Sequence, residues 1–347
     1  MTQRLDAPFV FGVRVEGDVF TDRREETERL KMNFLYGVNT ILISPRRMGK
    51  TSLVDKVCAL VANDEIKIAR MDAFGCRSEQ DFINAFATAV IRATETEYNA
   101  SNQTTEEVLQ LPELIAKEKG IRLVVCIDEF QQVGEFPDSL TFQKKLRGVW
   151  QLHNQVSYCL YGSKKHLMET MFQNASYPFY HFGDFFYLGK ISEDDWVAYI
   201  CERFEKTGKR IAPELAREIC QVTDRYSSYV QQLSWFVWLK TREEAQTEDV
   251  QFAIDRLLDA NEPLFIQQTE ELSSYQMNFL RAIIEGVHTG FTQSAILTKY
   301  RLGTAANIVR LKKSLTAKDL IAISSPKTLE LSDPILALWL KRRVFIR

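Results

Sequence analysis

The sequence predicts an α/β fold of the P-loop NTPase type, a parallel sheet with helices on both faces, followed by an α-helical lid and a winged-helix domain. Three observations lead to this prediction. A phosphate-binding pattern follows an early apolar strand, two carboxylates end a later apolar strand, and a basic segment closes the chain. We therefore expect a P-loop domain at residues 1–190, a lid at 191–270 and a winged helix at 271–347.

The composition is that of an ordinary globular protein. The chain has 347 residues, of which 45% are apolar and 26% charged, which excludes disordered and collagen-like classes. No uncharged apolar run reaches the roughly 18 residues that span a bilayer, and the first residues lack a signal-peptide layout. The six cysteines stand singly, which argues against a structural zinc site. These features predict a cytoplasmic protein without membrane contact.

The first candidate site is a phosphate-binding loop. A strand at Thr40–Ile43 is followed by SPRRMGKTS and by helical spacing from Leu53 to Ala62. The loop matches G-x-x-x-x-G-K-[ST] except at its first glycine, where Ser44 stands. Backbone N–H groups of such a loop point at the phosphates, and the flexibility of Gly49 lets the backbone approach them. The predicted nucleotide-binding residues here are Ser44, Pro45, Arg46, Arg47, Met48, Gly49, Lys50, Thr51 and Ser52.

Two of these residues have individual roles in the prediction. Lys50 places its charge between the β- and γ-phosphates, and the Thr51 hydroxyl binds Mg²⁺. The matching half of the site is RLVVCIDEF, an apolar strand that ends in Asp128 and Glu129, with room before it for two further β/α elements. Asp128 is predicted to hold Mg²⁺ and Glu129 to activate the attacking water. The alternative is that both acids only cap the next helix.

A third strand, Ser157–Tyr161, leads to Ser163. This order of strands is typical of P-loop ATPases that carry an extra central strand. Ser163 is predicted to contact the γ-phosphate or the attacking water, and a helix N-cap is an equally good reading of it. Asp72 ends the strand Ile66–Met71 and is predicted to cap a turn or to lie behind the metal ligands.

Five segments together resemble the archaeal/bacterial ATPase family of the STAND class, a branch of the AAA+-like P-loop ATPases. They are FTDRREETERL, SPRRMGKTSL, VVCIDEF, YGSKKHLMETMF and LSDPILALWLKRR. The resemblance implies an ATPase that uses ATP/ADP and Mg²⁺, with a helical lid and a winged helix. It also implies an adenine pocket lined by the segment before the P-loop, where Phe20, Arg23 and Glu26 fall.

The chain departs from that family in two places. Ser44 replaces the first glycine of the loop, and no arginine occurs between Arg147 and Arg203, where relatives commonly place a nucleotide contact. Lys164, Lys165, His181 or a neighbouring subunit would have to supply this charge. Because a missing transition-state cation lowers the rate by orders of magnitude, we expect slow hydrolysis.

The C-terminal part reads as helices, and then as a helix–helix–turn–helix–hairpin outline. Helical periodicity runs from Ile191 to about Asn261, which predicts the lid. The winged-helix elements are predicted at 276–285, 292–300, 304–318, 320–324 and 328–331, with a last helix from Asp333.

Charge is distributed unevenly along the chain. Net charge is −2, yet residues 275–347 hold twelve basic and four acidic residues, so the remainder is strongly acidic. Duplex DNA is therefore a possible partner through phosphate neutralisation. The predicted contacts are Thr304, Asn307, Arg310, Lys313 and Lys327. The alternative is that these basic residues complement the acidic remainder of the chain or a protein partner.

Three functions remain open at this point. The first is an ATP-driven molecular switch that signals through a protein partner or homo-oligomer. The second is a DNA-binding protein under ATP control, and the third is a nucleotide-binding scaffold that does not hydrolyse ATP.

Overall fold

The computed structural model describes residues 7–12, 23–97, 103–324 and 328–345. The chain divides into two compact units. One is Val13–Ile191, and the other joins Met1–Gly12 to Ser192–Arg347. The predicted P-loop sheet lies in the first unit, whereas the predicted lid and winged helix lie together in the second.

The first unit is built on a parallel five-stranded sheet in the order β2-β3-β4-β1-β5. The strands are β1 (Thr40–Ile43), β2 (Ile66–Asp72), β3 (Arg122–Asp128), β4 (Val156–Gly162) and β5 (Asp184–Tyr187). The helices are α1 (Arg24–Tyr36), α2 (Lys50–Val61), α3 (Glu79–Thr94), α4 (Thr105–Lys119), α5 (Ser139–Trp150) and α6 (Lys165–Gln173). Because β4 separates β1 from β3, the predicted extra central strand is confirmed.

The spacing between the P-loop and β3 left room for two β/α elements. Between α2 and β3, the described residues form one strand, β2, and two helices, α3 and α4. Each helix has its own start signal, because Ser78 caps α3 and Thr104 forms a capping box with Glu107 at α4.

Both faces of the sheet are buried, as its near-continuous apolar strands predict. Ile41 and Ile43 of β1 belong to one apolar cluster, and Leu42 between them belongs to another. Since side chains alternate along a strand, the two clusters cover opposite faces. The first is rich in aromatic side chains, with Trp150 stacked on Tyr158 at 4.2 Å between ring centroids. This packing fixes the ends of β1, β3 and β4 relative to one another.

The second unit begins with four helices and ends in a helix-and-hairpin arrangement. The four helices are α7 (Glu193–Glu205), α8 (Pro213–Val222), α9 (Ser227–Lys240) and α10 (Thr247–Thr269). The remaining elements are α11 (Ser274–Ile284), α12 (Ser294–Lys299), α13 (Ala305–Ala317), β6 (Ile321–Ser324), β7 (Thr328–Leu331) and α14 (Pro334–Trp339), followed by a π-helical turn at Leu340–Phe345. The strands β6 and β7 pair as an antiparallel hairpin, so the predicted order of elements is confirmed.

Hydrogen bonds join the region of α14 to α9 and α10 of the same unit. The hydroxyl of Tyr229 on α9 donates to Asp333 Oδ2 at 2.6 Å, and Asp333 Oδ1 caps α14 through the amides of Ile335 and Leu336. The indole of Trp339 donates to Glu262 Oε1 of α10 at 3.0 Å. The C-terminal segment is thus held by partly buried hydrogen bonds within this unit.

Candidate functional site

The predicted phosphate loop connects the end of β1 to the start of α2. Gly49 has φ +83° and Arg47 φ +67°, so two residues of the loop adopt the left-handed region before the helix begins at Lys50. Ser44 is fully buried, and its amide donates to the carbonyl of Gly162 on β4 at 3.3 Å. A small side chain therefore fits the place of the missing first glycine, since the Ser44 hydroxyl turns to the carbonyl of Pro45 at 3.2 Å.

The ammonium group of Lys50 lies among both predicted carboxylates. Its Nζ donates to Asp128 Oδ1 at 2.5 Å and lies 3.5 Å from Glu129 Oε1. The Thr51 hydroxyl donates to Asp128 Oδ2 at 2.9 Å, so the two predicted metal ligands touch. Lys50 also lies 4.8 Å from the centre of the Tyr161 ring. The four predicted residues thus lie together at the carboxyl ends of β1 and β3, which are separated in the sheet by β4.

Glu129 is held by donors on both carboxylate oxygens. Ser163 Oγ donates to Glu129 Oε2 at 2.8 Å, and the amide of Gln131 donates to the same oxygen. Burial would raise the pKa of Glu129, but the charge of Lys50 and these two hydrogen bonds outweigh it and hold the pKa below its usual value. Glu129 is therefore an ionised acceptor, as a water-activating base must be.

Two alternatives for these polar residues can now be decided. Ser163 does not cap a helix. The helix α6 begins at Lys165 with Lys164 in the cap position, and no side chain caps its start. Glu129 likewise gives no cap to the 3-10 turn that follows it at Phe130–Glu135. Asp72 accepts the amide of Phe74 at 2.9 Å and lies opposite Asp128 in the β2–β3 register, so it caps a turn beside the site.

The family resemblance implied that Arg23 lines an adenine pocket, and the structure shows its side chain buried against the P-loop. Its guanidinium donates to the carbonyl of Met48 at 3.0 Å and to the carbonyl of Gly189 beyond β5 at 2.7 Å. It also pairs with Glu26 at 3.0 Å. Arg23 thus ties α1 and the chain after β5 to the loop. Phe20 lies outside the described residues.

The other loop residues present different surfaces. Pro45 and Arg46 are exposed, Ser52 is half-buried, and Met48 is buried. Of these, Arg46 contributes to the low pKa of Glu129 through its charge.

The cations proposed to replace the missing arginine are partly engaged. Lys164 pairs with Glu135 at 2.6 Å, and Lys165 lies 3.8 Å from Glu169 and over the ring of Tyr187. His181 is exposed with φ +53°. To act at the site, Lys164 and Lys165 would have to leave these acidic partners.

The Mg²⁺ prediction fits the donors that are present. Thr51 supplies a hydroxyl oxygen and Asp128 a carboxylate oxygen, and hard divalent cations prefer oxygen ligands completed by water and phosphate. Within the described ranges, no group of three or more His, Cys, Asp or Glu side chains is placed to hold a metal ion without a nucleotide. In the same part of the chain, no helix is long and apolar enough to cross a membrane.

The predicted DNA-contacting residues lie on or next to α13, the third helix of the winged helix. Thr304, Arg310 and Lys313 are exposed, and neither Arg310 nor Lys313 has an ion pair within the described ranges. The Asn307 amide donates to the carbonyl of Leu302 at 2.9 Å, which turns it toward its own loop. Lys327 lies outside the described residues.

Part of the positive charge of this segment is neutralised within its own unit. Arg343 pairs with Asp259 of α10 at 2.7 Å, and Arg342 lies 3.6 Å from Asp255. Arg281 and Lys299 both pair with Glu285. The alternative in which basic residues complement acidic ones therefore applies to the C-terminal end, whereas α13 keeps unpaired cations.

Comparisons with known proteins bear on the fold. Residues 263–342 match the family model described as a probable winged helix domain. Among curated proteins, no sequence matches the chain. The Walker-type ATPase paby2304 of Pyrococcus abyssi has a similar structure, with a TM-score of 0.76, 17% sequence identity, and coverage of 96% of this chain and 99% of that one.

Two proteins of Aeropyrum pernix are also similar in structure. The ORC2 protein, solved in ADPNP–ADP complexes, gives a TM-score of 0.64 at 17% identity over 95% of this chain and 94% of that one. The ORC1 protein, solved in complex with DNA, gives 0.53 at 13% identity over 94% of each chain. The chain therefore shares the fold of these proteins. The predicted α/β fold class with a C-terminal winged helix is confirmed.

Sequence reasoning missed one residue of the site. Gln131 follows Glu129 by two positions, and its buried amide reaches the Glu129 carboxylate. The only signal in the sequence was its place two residues after the acidic pair.

Proposed function

We propose that the chain is a slowly hydrolysing ATPase of the STAND type that acts as a nucleotide-dependent molecular switch. One observation carries this proposal. Lys50, Thr51, Asp128, Glu129 and Ser163 converge at the carboxyl ends of three adjacent strands, joined by hydrogen bonds and ion pairs. In open α/β sheets this edge is where ligands bind.

The residues of the site divide the work of binding. Lys50 exchanges its bonds with Asp128 and Glu129 for the β- and γ-phosphates, and the amides of the loop and of the α2 N-terminus bind phosphate oxygens. Thr51 and Asp128 hold Mg²⁺, which offsets phosphate charge. Arg23 keeps the loop in shape through the carbonyl of Met48.

Hydrolysis falls to Glu129 and Ser163. The Glu129 carboxylate accepts a proton from water, and Ser163 lies close enough to that carboxylate to contact the water or the γ-phosphate as well. Lys164 and Lys165 stand where an arginine is absent, and both have acidic partners. Turnover is therefore slow, as suits a switch that is reset by hydrolysis.

The output belongs to the second unit of the chain. We assign residues 1–190 to the ATPase domain, 191–270 to the lid and 271–347 to the winged helix. In a switch, the nucleotide state changes what the lid and winged helix present to a protein partner or to a second copy in the cytoplasm.

The test is steady-state phosphate release with Mg-ATP for wild type and Glu129→Gln, with and without duplex DNA. We expect slow release by the wild type that falls at least 100-fold in Glu129→Gln, because the base is lost while the shape is kept. Equal rates in the two proteins would refute the assignment of Glu129, and no turnover in the wild type would leave a nucleotide-binding scaffold.

A second candidate function is DNA binding by the winged helix under ATP control. The specific observation in its favour is that Arg310 and Lys313 are exposed on α13 without an ion pair in the described structure. We expect Arg310→Ala to weaken binding of a duplex and to reduce its salt dependence. Arg343→Ala is the matched control, because Arg343 is already paired with Asp259. Equal affinity of all three proteins would remove this candidate.

A further inference from the structure

The Glu129 carboxylate accepts a hydrogen bond from a buried glutamine, Gln131. Gln131 lies in the turn that follows β3 and is 2% exposed, yet its side chain points back to the acid. Its Nε2 donates to Glu129 Oε2, the oxygen that also accepts from Ser163. The other oxygen, Oε1, faces Lys50 at 3.5 Å. The carboxylate thus contacts the Gln131 amide, the Ser163 hydroxyl and the Lys50 ammonium group, which come from three different segments of the chain.

Two backbone features make room for this amide. Glu129 has φ +50°, a left-handed conformation that costs a non-glycine residue about 1 kcal/mol or more. Gly162 ends β4, and a Cβ at that position would overlap Gln131 Oε1. A strained residue and a glycine therefore stand where they allow the Gln131 side chain to fill the space below the acid.

The buried Gln131 amide is not explained by a contribution to the free energy of unfolding. Its Oε1 is buried and has no hydrogen-bond partner within the described ranges. A buried acceptor without a partner destabilises a protein, whereas an apolar side chain of the same size would not. The amide is thus explained by what its Nε2 holds rather than by packing.

We propose that Gln131 is a positioning residue that keeps the Glu129 carboxylate oriented for water activation. This inference rests on the proposed function of the site. The hydrogen bond from Ser163 to Glu129 can be exchanged for one to the γ-phosphate, because the Ser163 hydroxyl lies next to the expected position of that phosphate. Gln131 is covered by protein and has no access to nucleotide, so its bond to Glu129 persists when Ser163 changes partner. It acts on the hydrolytic step and leaves nucleotide affinity unchanged.

The experiment compares Gln131→Leu and Gln131→Met with the matched control Gln143→Leu. Gln143 is also fully buried, and neither of its amide atoms has a partner in the described structure, so this change repeats the loss of a buried amide away from Glu129. Phosphate release and Mg-ATP affinity are measured for each folded variant, so that kcat and binding are obtained separately. We expect the Gln131 variants to lose about 10-fold or more in kcat with unchanged affinity.

The split between kcat and affinity separates positioning from packing. Loss of a buried amide alone lowers kcat in Gln143→Leu as well, whereas loss of the bond to Glu129 lowers kcat only in the Gln131 variants. Equal losses of kcat in Gln131 and Gln143 variants, or weaker Mg-ATP binding by the Gln131 variants, would overturn the proposal. Wild type and Glu129→Gln are measured alongside. Wild-type turnover that does not depend on Glu129 would refute the proposed function and the positioning role with it, whereas failure of positioning alone appears only in the Gln131 variants.

Discussion

Individual side chains at the sheet edge are packed so closely that single atoms matter. Gly162 carries no side chain, and the Gln131 amide occupies the space beside it. The same edge holds an ion-paired lysine, two carboxylates and two hydroxyls. Substitutions here therefore act on shape and charge at once.

Gly162→Ala tests this packing. The added methyl overlaps Gln131 Oε1 in a fully buried strand, so we expect a loss of about 1–3 kcal/mol in the free energy of unfolding, together with slower phosphate release. Gly148→Ala is the control, because its position in α5 is open and alanine favours a helix by about 0.5–1 kcal/mol. Denaturant unfolding of the two variants measures both effects, and equal stability would show that the Gly162 site is not tightly packed.

Residues whose chemistry follows from spacing could be predicted from the sequence. The phosphate-loop motif and the acidic pair at the end of an apolar strand predicted the site residues Lys50, Thr51, Asp128 and Glu129. Gln131 could not be, because its contact with Glu129 depends on a left-handed turn and on a glycine of another strand. Arg23 was assigned to a nucleotide pocket, and its burial depends on carbonyl groups far away in the chain.

At the scale of elements, the edge strand β5 is held by side chains of α1. Asp184 at the start of β5 accepts from both nitrogens of Arg29 that face it, at 2.5 and 2.9 Å, and from Asn33 at 2.8 Å. The Arg29 hydrogen bonds, opposed by partial burial and helped by Asn33, hold the pKa of Asp184 below its usual value. This short strand was not predicted, because its partner β1 lies far away in the sequence.

Asp184→Asn tests this anchor through its pH dependence. A carboxyl group whose pKa is lower in the folded state adds stability above its unfolded pKa of about 3.9 and loses it as pH falls through the folded value. We expect the variant to be about 1 kcal/mol less stable at pH 7, with the difference vanishing in acid. Asp64→Asn, at an exposed pair with Lys67, is the control and is expected to change little. A stability difference that does not depend on pH would contradict the ion-pair account.

Across the whole molecule, the predicted lid and winged helix meet within one compact unit. Tyr229 is 1% exposed and donates to Asp333, the residue that caps α14. The sequence predicted both helices and the Asp333 start signal. It did not predict their contact, because the two residues are far apart in the chain and a tyrosine hydroxyl has many possible acceptors.

Tyr229→Phe removes this hydrogen bond and keeps the aromatic ring. We expect a loss of about 1–2 kcal/mol in the free energy of unfolding, since the half-buried Asp333 carboxylate loses one donor. Asp333→Ala removes the helix cap as well and is expected to cost more. Thermal unfolding of both variants measures the order, and a Tyr229→Phe protein as stable as wild type would show that the bond does not hold the C-terminal helix.

The central claim is that the edge of the sheet around Lys50 binds Mg-ATP. Calorimetric titration of Mg-ATP into wild type, Lys50→Ala and the control Lys67→Ala tests it most directly. We expect saturable binding by wild type and Lys67→Ala, and a loss of about 2–4 kcal/mol in Lys50→Ala, since a charged partner of phosphate is removed. Equal affinity in all three proteins, or no binding by the wild type, would contradict the account.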